Sequence, residues 1–189
     1  MAVKGKIMDP IEKLGEIYGT TGHEIFEGDR TVSQTSHALQ TAMVAEAAGA
    51  SAPMITAALL HDIGRIVNPK DREITDRGGD AKHEIVAQKF LETWFGPDVT
   101  MPIYWHVAAK RYLMATDPAY QKTVSCGSHR SLKGQGGVFT EAEADEFLAQ
   151  PFAKEGVELR RWDDLAKLPD AVTPDFDHFI PHLRASLTK

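Results

Sequence analysis

His61 and Asp62 stand side by side at the end of an apolar run, Ile55 to Leu60. An imidazole beside a carboxylate in such surroundings needs a partner that offsets its burial, and a metal ion is one. The nitrogen can serve one ion, and the carboxylate can bridge that ion to a second. Further candidate ligands recur along the chain: His37, His83, His106 and the pair Asp163-Asp164, each near an apolar helical stretch. A lone histidine on an apolar face is usually a hydrogen-bonded core residue. Four of them, with the His-Asp pair and a late aspartate, are poorly explained that way. Four imidazoles and two carboxylates also exceed what one ion needs. Nitrogen and oxygen donors without thiolate suit iron, manganese, cobalt or zinc. The remaining histidines are weaker candidates: His23 falls in a loop, His178 and His182 in a Pro-bounded tail, and His129 in a Ser/Gly-rich stretch where it reads as structural.

Such side chains need rigid supports. Residues 9–19 read as an amphipathic helix with Ile11, Leu14, Ile17 and Tyr18 on one face. Gly22 to Arg30 reads as a polar loop carrying Phe26, Glu27 and Asp29. A helix from Thr31 to Ala48, capped by Thr31 or Ser33 and stopped by Gly49, carries His37. Pro53 starts the next helix, which runs into His61-Asp62 and ends at Gly64. Asn68 to Gly79 reads as a charged loop, after which Asp80 caps a helix to Phe95 with His83 in its first turn. Pro102 opens a helix through His106 and Lys110 to Met114. Thr123 to Gly137 is rich in Ser and Gly and reads as a loop able to approach a ligand. Thr140 and Glu143 form a capping box for a helix to Ala149, and Glu158 to Lys167 is a final helix closed by Pro169. No stretch alternates with the period of two that a strand requires. The expected fold is all-α: a helical bundle, one domain over 1–189, with a dinuclear metal site built from inward-facing side chains.

Composition narrows the partners. A chain of 189 residues that is 42% hydrophobic can bury one good core. Its net charge of −6 and scattered basic residues argue against nucleic acid as a partner. A single cysteine, Cys126, excludes an internal disulfide and any paired-cysteine site. With no signal-peptide pattern, the cytoplasm is the expected compartment. No apolar stretch approaches the ~20 residues that cross a bilayer, so no membrane partner is expected.

The order His37, His61-Asp62, His83, His106, Asp163 resembles the HD-domain superfamily. The segments SQTSHALQTAMVAEAAGA, AALLHDIGR, KHE, WHVAAKRYL, SCGSHRSLKGQGG and LRRWDDLAK are similar to the small HD-domain oxygenases that cleave carbon–phosphorus bonds, the 2-amino-1-hydroxyethylphosphonate dioxygenase type. They cover most of the chain from about residue 31 to 170. The resemblance implies that His37, His61, Asp62 and Asp163 hold an iron that meets substrate and O2. His83, His106 and the bridging Asp62 would hold a second iron, in an active pair of mixed Fe(II)/Fe(III) valence. Lys110, Ser128 and Arg160 match positions that bind the phosphonate. A dianionic phosphonate does want a guanidinium fork, an ammonium and a hydroxyl. Lys110 lies one helical turn beyond His106, and Arg160 three residues before Asp163, so each shares a face with a ligand. The family pattern selects Asp163 over Asp164, which is left as an outward or capping carboxylate. Gln135, Gly136 and Gly137 would support the Ser128 segment.

One loop departs from that pattern. The family's amino-substrate members carry Tyr-x-Gly-Glu before the first ligand, where this chain reads Phe26-Glu27-Gly28-Asp29-Arg30, with one extra residue before His37. Phenylalanine cannot ligate iron, but the acids Glu27 and Asp29 still suit a cationic substrate end. With Phe26, Tyr104, Trp105, Tyr112 and Trp162 as candidate walls, a quaternary ammonium is the expected headgroup. The expected reaction is O2-dependent cleavage of (1-hydroxy-2-(trimethylammonio)ethyl)phosphonate to glycine betaine and phosphate. Cleavage of the amino analogue to glycine is the second reading. An upstream hydroxylase that makes the C1 alcohol is an implied pathway partner, and the sequence fixes no oligomeric state. A metal-dependent HD phosphohydrolase is the rival class; it shares the first metal set and acts through a bound water, but a GYP motif is absent. A non-catalytic phosphonate sensor would not need two complete metal sites.

Overall fold

A computed structural model describes residues 9–25 and 31–188. Among them the chain is helical, with an isolated bridge between Phe95 and Leu187 and no strand. The centre is α4 (Ala52–Leu60), whose residues from Met54 to Leu60 are all buried. A helix apolar all round has to be wrapped on every side. On one side lies α3 (Gln34–Ala47), which turns Ala38, Ala42 and Ala45 inward, and such small side chains let two helices approach closely. The long α8 (Pro97–Thr116) and α13 (Phe176–Ser186) also pack on α4, and α12 (Ala153–Leu165) lies along α8. Leu59, Leu60, Ile63, Leu91, Ile103, Leu159 and Leu183 fill the space between these helices. The first helix, α1 (Pro10–Gly19), buries Ile11, Leu14 and Tyr18 as its periodicity predicts.

Local signals explain several helix starts. Ser33 Oγ accepts the Ser36 amide at 3.1 Å, and Thr140 and Glu143 form the expected capping box of α11 (Glu141–Leu148). Others were hidden by composition. The apolar run of α4 ends at Leu60, and a separate short helix, α5 (Ile63–Val67), begins after Asp62, so Gly64 is not a terminus. The charged stretch after Asn68 contains α6 (Asp71–Asp76). The helix with His106 starts at Pro97 and absorbs Pro102. The Ser/Gly-rich stretch is not a loop: Ser125 Oγ accepts the Ser128 amide at 3.2 Å and starts α10 (Cys126–Gly134), after a short α9 (Pro118–Thr123). The helix that ends near Lys167 starts five residues earlier than expected, at Ala153, and the Pro-bounded tail is α13. Its His178 and His182 share the Glu46 carboxylate at 2.8 and 3.1 Å, which ties α13 to α3. No helix of the described residues is long and apolar enough to cross a membrane.

Gly64 is present because two helices nearly touch there. Next to α5 runs α7 (His83–Leu91), and a Cβ on Gly64 would lie 2.0 Å from the His83 carbonyl oxygen. Neither partner can yield, since both atoms belong to backbone. Gly64→Ala is therefore expected to destabilise the fold by about 3 kcal/mol in urea unfolding, and a wild-type midpoint would contradict this packing.

Candidate metal centre

Six buried side chains from different helices meet at one place beside α4. His37 comes from α3, His83 from the first residue of α7, His106 from α8 and Asp163 from α12. His61 and Asp62 occupy the corner between α4 and α5, where the backbone leaves the helical path and turns adjacent side chains inward together. Just before His83, Lys82 adopts a left-handed conformation (φ 51°), a strained start that aims the first side chain of α7 at this point.

The donor atoms fall into two groups. In the first, His37 Nε2 lies 3.1 Å from His61 Nε2 and 3.2 Å from Asp163 Oδ1. Asp62 Oδ2 stands 4.0 and 3.9 Å from these two imidazole nitrogens. In the second, His83 Nε2 lies 3.1 Å from His106 Nε2 and 3.1 Å from Asp62 Oδ1, which is 3.7 Å from His106 Nε2. The two oxygens of Asp62 thus face different groups. Each group has the donors and spacing to hold a metal ion, with Asp62 common to both.

The hydrogen bonds behind the first group show that it suits a cation. His37 Nδ1 donates to the Ala166 carbonyl at 2.9 Å, and His61 Nδ1 to Ala58 at 2.8 Å. Their Nε2 atoms are consequently both unprotonated and present lone pairs to each other across 3.1 Å. Nothing between them in the protein can satisfy both; a cation does. His106 Nδ1 likewise bonds Ile103 O at 2.6 Å. Asp62 Oδ1 is buried without a hydrogen-bond donor, a further acceptor that a cation suits. Protonation states agree. Burial, reinforced by neighbouring histidines, pushes His61 and His106 below the ordinary imidazole range. Burial would raise Asp62, but Arg65, His61 and His83 outweigh it and hold the carboxyl well below its usual range. Neutral imidazoles and ionised carboxylates are the states that bind metals.

Beside the two groups opens a cavity of about 770 Å³, lined by His83, His106, Lys110, Ser128, Arg160 and Lys167 among others. Arg160 is the hub of its wall. Its Nε and Nη2 meet Asp164 at 2.8 and 2.6 Å, Nη2 also donates to Ser128 Oγ at 2.7 Å, and Nη1 pairs with Asp163 Oδ2 at 2.6 Å. Tyr120 donates to Asp164 as well. Lys110 is buried on α8 and donates to Ser131 Oγ at 2.7 Å and to Gln135. Burial, with the nearby Arg160 and Arg65, lowers its pKa to about 7.

The structure thus brings together nine residues singled out by sequence: the six His and Asp side chains, Lys110, Ser128 and Arg160. Asp164 is a correction. It points inward and clamps Arg160, with a side chain 8 % exposed. Four expected aromatic walls lie elsewhere: Trp105 and Tyr112 pack with Phe147 in a second apolar cluster, Tyr104 stacks edgewise on Trp105, and Trp162 joins the main core. Phe26, Glu27 and Asp29 lie outside the described residues. Sequence reasoning missed Lys167, Arg65 and Tyr120. Lys167 reaches Asp163 Oδ1 at 2.6 Å, and Arg65 Nε reaches Asp62 Oδ2 at 2.9 Å. Both were readable as cations four and three residues after a candidate ligand.

Comparison with known proteins places this geometry. The HD domain family model matches residues 35–167, a span that contains every candidate ligand. Hydroxymethylphosphonate dioxygenase of Gimesia maris is 41% identical over 94% of this chain and 88% of its own. The glycine-betaine-forming [1-hydroxy-2-(trimethylamino)ethyl]phosphonate dioxygenase of Leisingera caerulea is 37% identical over 95% of this chain and 91% of its own. An uncharacterised protein of Acanthamoeba polyphaga mimivirus is 30% identical over 92% of this chain and 80% of its own. With a family model matched over residues 35–167 and relatives of this identity along nearly its full length, the chain belongs to the HD-domain family.

Proposed function

We propose that the protein cleaves the carbon–phosphorus bond of a 1-hydroxyphosphonate with O2, releasing phosphate. The observation that carries this reading is the shared cavity: Lys110, Ser128 and Arg160 open onto the same space as the His/Asp groups. An oxyanion held by those three residues is presented to both candidate metal positions. The names of the two relatives supply the chemistry that the geometry accommodates. Iron bound at both groups, as a mixed Fe(II)/Fe(III) pair, would supply the oxygen and one-electron chemistry that no side chain offers. His37, His61, Asp62 and Asp163 would hold one ion, and Asp62, His83 and His106 the other. The remaining work falls to the protein's own groups. Lys110 and Arg160 neutralise the phosphonate and then the departing phosphate, and Ser128 donates its hydroxyl proton. Asp164 fixes the plane of Arg160, while the buried helices around the cavity keep bulk water from the reacting carbon.

The leading substrate is (1-hydroxy-2-(trimethylammonio)ethyl)phosphonate, giving glycine betaine. The carboxylates of Glu24 and Asp80, which also line the cavity, support a cationic substituent there. Glu27 and Asp29 remain assigned to it. Hydroxymethylphosphonate is the second reading. It is favoured by the 41% relative and by a cavity wall without Phe, Tyr or Trp among the described residues. Phosphorus-31 NMR of iron-loaded protein with both compounds and the amino analogue, with and without O2, decides. Phosphate that appears only with O2 is expected, and the fastest substrate names the substituent. Inertness of all three, with anaerobic release of phosphate from esters, would establish the hydrolase reading instead.

Lys110 makes phosphonate binding depend on pH. With a pKa of about 7 it is half charged near neutrality, and a bound dianion favours its charged form. The contribution of Lys110 to binding is full below pH 7 and is expected to weaken by up to about tenfold per unit above it. Lys110→Arg stays charged, so its dissociation constant, followed by calorimetry with a phosphonate, should lose that alkaline rise. Parallel curves for the two proteins would remove Lys110 from the anion site.

A further inference from the structure

The four candidate histidine ligands are not held alike. His37, His61 and His106 each give the Nδ1 proton to a peptide carbonyl, at 2.9, 2.8 and 2.6 Å. His83 faces no carbonyl; the group opposite its Nδ1 is the carboxylate of Glu84, with Oε2 at 3.6 Å. That oxygen is buried and has no hydrogen-bond donor, and Glu84 as a whole is 7 % exposed. The residue occupies the first turn of α7, where a negative charge favours the helix. A charge serving only the helix terminus would do so at the surface, in water. Here one carboxylate oxygen is turned inward toward the imidazole, while the side chain also borders a separate small cavity of about 170 Å³ with Lys82 and Arg111.

We propose that Glu84 is a positioning residue for the second metal group: its carboxylate accepts a hydrogen bond from Nδ1–H of His83 and makes this the one imidazole of the four backed by a full charge. This rests on the two-ion reading above. Once Nε2 of His83 serves an ion, the ring proton must sit on Nδ1, directly opposite Glu84, and a small rotation closes the gap. A carboxylate behind an imidazole raises its donor strength more than a carbonyl does and holds the ring in place. The ion bound by His83, His106 and Asp62, which has no second carboxylate of its own where its neighbour has Asp163, thereby meets stronger donors than these three side chains alone would give. Its higher oxidation state is favoured relative to a site without Glu84.

Glu84→Gln keeps the shape and removes the charge; Glu84→Asp keeps the charge and shortens the arm. Iron titration of the apoprotein and redox-poised electron paramagnetic resonance of the loaded proteins test the proposal without an activity assay. In Glu84→Gln the second ion is expected to bind about 10–100-fold more weakly and to be reduced at a higher potential, while the first ion binds as before. Glu84→Asp should return both quantities toward wild type. A packing role predicts the opposite order, with the isosteric amide harmless and the shortened acid harmful, and that result would overturn the inference. So would two ions bound by Glu84→Gln with unchanged affinity and potential. Wild-type protein that takes up only one ion would overturn the two-ion reading itself, and this assignment with it.

Discussion

Asp62→Asn is expected to abolish O2-dependent phosphate release and to leave the protein unable to retain either metal ion. Among the described candidate ligands Asp62 is the one shared by both groups: its Oδ1 is 3.1 Å from His83 Nε2, and Oδ2 lies on the side of His37 and His61. An amide has one acceptor oxygen and no charge, so it can serve one ion weakly and cannot bridge. The loss of rate should exceed the ~10²–10³-fold that removal of a single preorganised donor costs. His83→Ala and His106→Ala strip only the second group, so they should keep one ion where Asp62→Asn keeps none. Metal analysis after gel filtration separates these outcomes. The fold should survive, because an asparagine fills the same volume and its amide can donate to a neighbouring Nε2. Full metal content in Asp62→Asn would refute the shared-ligand geometry.

The second large effect belongs to Arg160. Its guanidinium lies between Asp163 and Asp164 and leaves little of itself exposed. Removing one partner of a buried ion pair strands the other charges, at a cost of about 3–5 kcal/mol. Arg160→Ala leaves the two carboxylates with Lys167 alone in place of two cations and also removes one of the three groups proposed to hold the phosphonate. Both stability and substrate affinity should fall, and Arg160→Lys should recover charge without the two-pronged geometry. The acid limb provides an independent check. Burial would raise Asp164, but Arg160 and Lys167 outweigh it and hold its pKa at about 2, against an ordinary value of 3.8. A carboxyl depressed on folding contributes stability above its unfolded value, and that contribution disappears as the pH falls from about 4 to 2. In Arg160→Ala this part of the acid transition should flatten. A variant with wild-type unfolding at pH 7 and an unchanged acid limb would mean that Arg160 is not the clamp it looks to be.

The sequence was most legible where a residue type has few uses. A His-Asp pair after an apolar run and three more histidines beside apolar helices do converge in three dimensions, and a Thr-x-x-Glu box does cap its helix. It was least legible where polar composition imitates a loop. The segment from Cys126 to Gly134 is rich in Ser, Gly and cations, yet Ser125 caps it as a helix and Lys110 anchors it through Ser131. Position overrode composition because Ser128 has to face Arg160. Asp164 shows a further limit. Adjacent helical residues point about 100° apart, so Asp163 facing the histidines led to an outward reading of its neighbour. Arg160, one turn earlier, reaches both and draws both inward. The aromatic walls failed for a simpler reason: Trp105 and Tyr112 neighbour His106 and Lys110 in sequence but lie on the opposite side of α8, against Phe147.

Two of the candidate ligand histidines take their orientation from their own helices. His61 is bonded to Ala58, and His106 to Ile103, each one turn back. Such rings are aimed as soon as the helix exists, before any ion arrives. These two rings therefore cannot re-aim themselves to suit the ion that arrives. A preset nest of nitrogens and oxygens accepts divalent ions in their inherent order of affinity, with zinc ahead of ferrous iron. Which ion such a protein carries is decided by what the cell leaves free when the chain is made. If iron is the working metal, as proposed, the same polypeptide would be an oxidising catalyst in an iron-replete cell and an inert zinc protein in an iron-starved one.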